Sequence, residues 1–393
     1  MERLKEAGSS VQQYNAATRG EMQNSFTLSE GEVNRRIDAG ESYVVRFNMP
    51  ADQEVSFTDK VRGTVTFQTN QLDDKILVKS DGIPTYHMAN IVDDHTMGIT
   101  HVVRGEEWVS STPLHILLYQ ALGWEAPVYA HLPLILNPNG KGKMSKRQGD
   151  KLGFSVFPIE WTDPQTGNMT MGYREQGYLP EAMMNFLALL GWNPGNDEEV
   201  MDEARLTELF SLERLNNSAS KFDLDKLRWF NQTYLREKSP EDILPALKVG
   251  VEKAGLPLPE DAFLLEVIRL MHERIYFIHD IPAQAPFFFT APTSYNEKMA
   301  RKQWKAQTPE LVEGLIKALE GISDWNAEQV HDTFKACVEA AEVGTGKIMA
   351  PFRLALTGLP SGPGVFDIAA LLGKAETIAR LKAAIANLAT PAA

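Results

Sequence analysis

Between residues 75 and 136 short apolar stretches alternate with helix-like ones: KILVKS, HVVRG and PVYAHLPLI are separated by TYHMANIVDDHTMG and TPLHILLYQALGW. Strands separated by helices of this length predict parallel βαβ units, because a parallel partner is reached only through a long crossover. In the second helix Thr112 reads as the N-cap, Pro113 as the first helical residue and Gly123 as the residue past the end. The pattern supplies the strands of only part of a doubly wound sheet.

The flanks read differently. Upstream, Ser29 and Glu32 make a capping box and Gly40 sits just past a helix end, before the period-two stretches SYVVRFN and VRGTVTFQ. That is a small α+β unit. Downstream, a loop rich in Gly, Pro and Thr (WTDPQTGNMTMG) gives way after residue 178 to helices. Asp223 caps one of them, Ser239 with Pro240 starts another, and Thr308 with Pro309 a third. Capped helices in succession predict α-helical bundles. Met183 and Met184 are read as core residues of the first helix, and no repeat of fixed period is seen.

A chain of 393 residues predicts two to four units at about 150 residues each. Its one cysteine, Cys337, excludes an internal disulfide and a thiolate zinc cluster, which suits a reducing cytoplasm. MERLKEAGSS lacks the apolar core of a signal peptide, and no apolar run approaches the roughly 18 residues a membrane span needs.

Against a net charge of -13, the segment NPNGKGKMSKRQGDK packs Lys141, Lys143, Lys146, Arg147 and Lys151 between glycines. Flexible glycines and compact ammonium groups suit a polyphosphate, and the distant acidic surface is screened over about 10 Å in salt. A solvated basic loop is the competing reading. Upstream, Tyr86 and Asn90 fall four apart on one helical face, and Arg104 follows a strand, with Glu106, Glu107 and Trp108 behind it. An arginine there can take a carboxylate bidentately while Tyr86 and Asn90 donate hydrogen bonds. Each residue alone is also explained as an ordinary core or surface group. GTGK at 344–347 fails as a phosphate loop because Ala341 and Ile348 stand where Gly and Ser or Thr are needed. The eight histidines show no paired-ligand spacing. In LLEVIRLMHERIYFIHDI, Arg269, His272, Arg274, Tyr276 and Phe277 suit unpaired RNA bases as well as they suit the outer face of an amphipathic helix.

The ordered run SDGIPTYHMANIVDDHTMGITHVVRGEEW, HLPLILN, GKGKMSKRQGD, GYLPEAMMNFLALLGW, FDLDKLRWFNQTYLRE and PFRLALTG resembles bacterial glutamyl-tRNA synthetases, class I enzymes with a KMSKS signature. The resemblance implies a multidomain chain: the C-terminal half of a class I α/β Rossmann-type catalytic domain, preceded by a remnant α+β inserted domain and followed by α-helical bundles. The implied divisions are 1–84 (acceptor-binding remnant), 85–140 (second half of the Rossmann-type domain), 141–238 (KMSKR loop and stem-contact helices) and 239–393 (all-α anticodon-binding domain). It places Tyr86, Asn90, Arg104 and Trp108 at glutamate. Glu107 and the backbone of Leu134 and Ile135 fall near ATP, with Lys143, Ser145, Lys146 and Arg147 in the catalytic signature loop. Lys146 is expected to be the principal phosphate contact. Arg274 falls at a position that reads an anticodon base.

The implied partners are glutamate, tRNA(Glu) and ATP carried with Mg2+, with no zinc or other resident metal and no membrane. A cytoplasmic monomer is expected. The family's HIGH-like turn should lie upstream, no such string occurs, and Met1 falls inside what resembles the inserted domain. The expectation is therefore an N-terminally truncated glutamate–tRNA ligase, inactive alone, with a noncatalytic tRNA-binding paralogue as the alternative. A helical scaffold with no RNA role leaves the pocket motifs unexplained, and a glutaminyl-specific relative would carry β-barrel anticodon domains.

Overall fold

The computed structural model describes residues 13–139, 142–144 and 156–388. They form two compact units. One holds the described residues of Met1–Ser145 with Leu187–Phe222, and the other those of Lys146–Phe186 with Asp223–Ala393.

The first unit opens with helix α1 (Glu30–Asp38), where the Ser29 hydroxyl accepts from the Glu32 N–H as the capping box predicts. Strand β1 (Val45–Arg46) is followed by a hairpin of β2 (Glu54–Asp59) and β3 (Gly63–Gln68), then β4 (Ile76–Val78). Next come helix α2 (Tyr86–Thr96), β5 (His101–Gly105), α3 (Thr112–Leu122), β6 (Val128–Leu132) and β7 (Ile135–Leu136).

The central sheet has the order β3-β2-β6-β5. β5 and β6 are parallel across α3, as the alternating pattern predicts. β2 joins β6 in parallel through the pair Asp59↔Tyr129, and its alternation buries Val55, Phe57 and Asp59. Two expectations change here. KILVKS is no strand of this sheet, since β4 pairs antiparallel with β1. The division expected at 84/85 runs through the sheet, because the 54–68 hairpin lies in it with β5 and β6.

Helix α3 has Pro113 in its first turn and Gly123 in the left-handed conformation (φ 69°) that ends it. Thr112 is not its N-cap, since Ser111 holds that place and the Thr112 hydroxyl donates to the Trp108 carbonyl. Leu114, Leu117, Leu118 and Tyr119 from α3 pack on Met49, Val55, Leu77 and Ile91 as one core.

The second unit is built from capped helices. In α4 (Pro180–Gly191), which spans the division between the units, Ala182, Asn185, Phe186 and Leu190 form the buried stripe. Met184 falls off that stripe and is 56% exposed, contrary to its reading as core. After α5 (Glu203–Leu209) and a short strand β8 (Ser220–Lys221), which pairs in parallel with β7 within the first unit, the bundle proper begins. Asp223 caps α6 (Leu224–Glu237) and Ser239 caps α7 (Pro240–Lys253), both as expected. Ile243, Leu247 and Val251, one turn apart, meet Leu264, Val267 and Ile268 of α8 (Asp261–Met271) in a core that continues through Phe287, Leu315, Phe334, Phe352 and Leu381. Thr308 is the first residue of its helix rather than the cap, which is Gln307.

Arg380 is 4% exposed in that bundle and donates to the carbonyls of Phe287 (2.7 Å) and Leu356 (2.8 Å), while Glu376 accepts from its Nε. Arg380→Leu strips two buried carbonyls of donors and is expected to destabilise the chain by about 2–4 kcal/mol in urea denaturation followed by circular dichroism. A change below about 0.5 kcal/mol would show that water reaches both carbonyls.

Candidate functional site

Strand β5 ends in Arg104 and Gly105, and the short 3-10 segment Glu106–Ser111 carries Glu107 and Trp108 away from it. Helix α2 starts at Tyr86, so the first turn of α2 and the end of β5 deliver their side chains to one place. The Tyr86 ring lies 4.6 Å from that of Trp108, and the Arg104 guanidinium sits 5.8 Å over Trp108 and 5.3 Å over Tyr129. Asn90, one turn along α2, holds Asp94 through a side-chain hydrogen bond, and burial pushes the Asp94 carboxyl up. Tyr86 is 48% exposed. Of the four residues expected at glutamate, Trp108 thus meets both Tyr86 and Arg104, with Asn90 on the helix of Tyr86.

Arg104 Nε donates to His131 Nε2 at 3.0 Å, and Nη2 donates to the Thr112 hydroxyl at 3.0 Å and faces His115 Nδ1 at 3.4 Å. Behind these, His131 Nδ1 meets Asp59 Oδ2 at 2.6 Å, and His115 Nε2 meets His87 Nδ1 at 3.0 Å. Among the described residues Arg104 forms no ion pair with a carboxylate. His131, His115 and Asp59 are fully buried. Burial, followed by the neighbouring Arg104 charge, lowers His115 to about 3, and burial likewise lowers His131 and His87. Burial works to raise Asp59, yet the hydrogen bonds from His131 and from the Val61 and Arg62 backbone hold it below the usual carboxylate range.

None of Asp59, His87, His115 or His131 was singled out in the sequence. Their spacing is not periodic, and Asp59 and His131 are 72 residues apart. Among the described residues no group of three or more His, Cys, Asp or Glu side chains is arranged to hold a metal.

The expected ATP-side residues lie beyond the end of β5. The Glu107 carboxylate accepts from Lys143 Nζ at 2.6 Å, which lowers its pKa. Glu106 is held by Arg62 and accepts from the Leu134 N–H at 3.2 Å, so that backbone donor is already engaged. The Ile135 carbonyl is taken by the Met144 N–H at 2.9 Å. Ser145, Lys146 and Arg147, with Lys141 and Lys151, lie outside the described residues.

In the helical unit Arg274 ends a short turn after α8 and is exposed. Burial and then the Arg274 charge lower the pKa of Arg353, so two cations face one another. A cavity in the same unit is lined by Arg174, Arg228 and Lys253 and by the rings of Tyr178, Phe277 and His279.

Residues 1–229 match the family profile of class I tRNA synthetases (E and Q), catalytic domain, and residues 238–385 match an anticodon binding domain. A glutamate–tRNA ligase of Phocaeicola vulgatus is 48% identical over 95% of this chain and 74% of its own length, and one of Christiangramia forsetii is 46% identical over the same shares. Among solved structures, a glutamate tRNA ligase of Elizabethkingia meningosepticum in complex with its amino acid superposes with a TM-score of 0.94 at 45% identity, covering 98% of this chain and 76% of that one. A glutamate-tRNA synthetase of Elizabethkingia anophelis gives 0.92 at the same identity and coverage. The chain belongs to the class I tRNA synthetases, and within them to the glutamate–tRNA ligases. Among the described residues no helix is long and apolar enough to cross a membrane.

The buried histidines set a pH dependence. A base whose folded pKa is depressed leaves the fold at full stability above its unfolded value near 6.5, and stability is lost as pH falls toward the folded value. His115 alone is expected to lower the unfolding free energy by about 2 kcal/mol between pH 7 and pH 5, measured by urea denaturation at the two values. His115→Gln should show a smaller drop, and an unchanged drop would contradict the assignment.

Proposed function

We propose that this chain binds glutamate at Tyr86, Asn90, Arg104 and Trp108 for ATP-dependent adenylate formation and transfer to tRNA(Glu). The observation that carries this reading is Arg104, a guanidinium hydrogen-bonded to three uncharged groups and, among the described residues, in no ion pair with a carboxylate, at the edge of an aromatic pair. A substrate carboxylate supplies the missing counter-charge through a charge-assisted, bidentate contact. Tyr86 and Asn90 then decide which side chain fits, since a site built on paired polar groups penalises a substrate that leaves them unpaired.

For ATP, entering with Mg2+, the reading assigns Glu107 and the Leu134–Ile135 backbone to the nucleotide and the signature loop to the phosphates. Lys143 of that segment is held on the Glu107 carboxylate, which supports this reading. Lys146 is assigned the developing charge on departing pyrophosphate, and Ser145 and Arg147 belong to the same loop. For tRNA, Arg274 beside Arg353 and the cavity of Arg174, Arg228, Lys253 and aromatic rings offer charge and stacking surfaces of the kind unpaired RNA takes.

We propose further that activation also requires the family's HIGH-like segment. Glutamate-dependent ATP–pyrophosphate exchange in the presence of tRNA(Glu) is expected from this chain joined in frame to such a segment from a related ligase, and not from this chain alone. Exchange by this chain alone contradicts that requirement. Failure of the joined form with tRNA binding intact favours the tRNA-binding paralogue.

In the joined form, Arg104→Gln is expected to lower kcat/KM for glutamate by about a hundredfold or more, the worth of a charge-assisted pair. Lys146→Ala is expected to slow adenylate formation far more than it weakens tRNA binding in a filter assay. Equal losses of both overturn the phosphate role of Lys146.

A further inference from the structure

The donors and acceptors around Arg104 fit in one sense only. A guanidinium has no acceptor, so the imidazole nitrogens it meets, His131 Nε2 and His115 Nδ1, carry lone pairs. The ring proton of His131 is therefore on Nδ1 and is donated to Asp59. That of His115 is on Nε2 and is donated to His87 Nδ1.

Asp59 is locked in turn by the N–H groups of Val61, Arg62 and His131. Five elements, β2, β6, β5, α3 and α2, contribute one group each to this chain of contacts. Its single carboxylate is separated from the guanidinium by a whole imidazole ring.

We propose that Asp59, His131 and His115 are positioning residues for Arg104, fixing both imidazoles as neutral acceptors so that the guanidinium is oriented and keeps its charge for an incoming carboxylate. The proposal rests on the reading of Arg104 as the partner of glutamate's carboxylate. A carboxylate placed directly on Arg104 would orient it equally well but would compete with the substrate for it. Neutral imidazoles hold the geometry without supplying the counter-charge, much as outer partners fix the tautomer of a functional histidine elsewhere.

The test uses the chain with 15N-labelled histidine and arginine at neutral pH. The expected spectrum shows His131 protonated on Nδ1 alone and a slowly exchanging Arg104 Nε–H. Two substitutions separate the links of the relay. His131→Gln can present an amide oxygen where Nε2 was, and should largely keep the Arg104 Nε–H protected. His131→Asn can reach Asp59 only, and should speed that exchange by about tenfold, the worth of one lost hydrogen bond. Methyl dispersion in both variants reports that the fold is intact.

An Nε2-protonated or doubly protonated His131, or equal protection of Arg104 in the two variants, overturns the proposal. Added glutamate should shift the Arg104 Nη signals in the unmodified chain. If it leaves them in place while the imidazole pattern is as described, the glutamate reading fails and the relay stands.

Discussion

A buried carboxylate–imidazole pair, Asp59 and His131, underlies the arrangement of the first unit. Both side chains are sealed from solvent and meet at 2.6 Å, a contact short enough to be charge-assisted. Asp59 ends one arm of an antiparallel hairpin and His131 lies in the last long strand of a βαβ crossover. The pair is therefore the polar seam along which two kinds of sheet become one. A buried charge without partners is strongly destabilising, so the three backbone N–H groups that converge on Asp59 are as much a part of the seam as the histidine.

What the seam positions is Arg104. The end of a parallel strand is where an α/β sheet presents groups to a ligand, and here the strand end, the first turn of α2 and the turn carrying Trp108 meet. The side chains gathered around Arg104 thus stand on regular elements. Lys143 of the basic segment is paired with Glu107, and at separations of a few ångströms such a contact outweighs a net charge spread over the whole surface.

Much of this was legible in the sequence. Proline at the start and glycine past the end marked α3, the capping residues Ser29, Asp223 and Ser239 marked their helices, and the four-residue spacing of Tyr86 and Asn90 put them on one helical face. Ordered motifs along the whole length gave the family. The histidine relay was not legible, because its members are joined by sheet register and not by spacing, and a one-residue shift between β2 and β6 would face Asp59 the other way. The same reason explains the hairpin assigned to a separate unit: strand pairing between residues as distant as Asp59 and Tyr129 leaves no local trace. Thr112 looked like a cap because its type and place were right, and its hydroxyl went instead to Trp108 and Arg104. Met184 was misplaced because hydrophobic character does not say which side of a helix faces the core.

The central claim is that Arg104 is held ready for the carboxylate of glutamate. A crystal structure of this chain soaked with glutamate tests it most directly. The account predicts a carboxylate within hydrogen-bond distance of Arg104 Nη, between Tyr86 and Asn90, with the guanidinium still on His131 and Thr112. Glutamate bound elsewhere in the crystal, or an Arg104 that leaves His131 to reach it, would contradict the account.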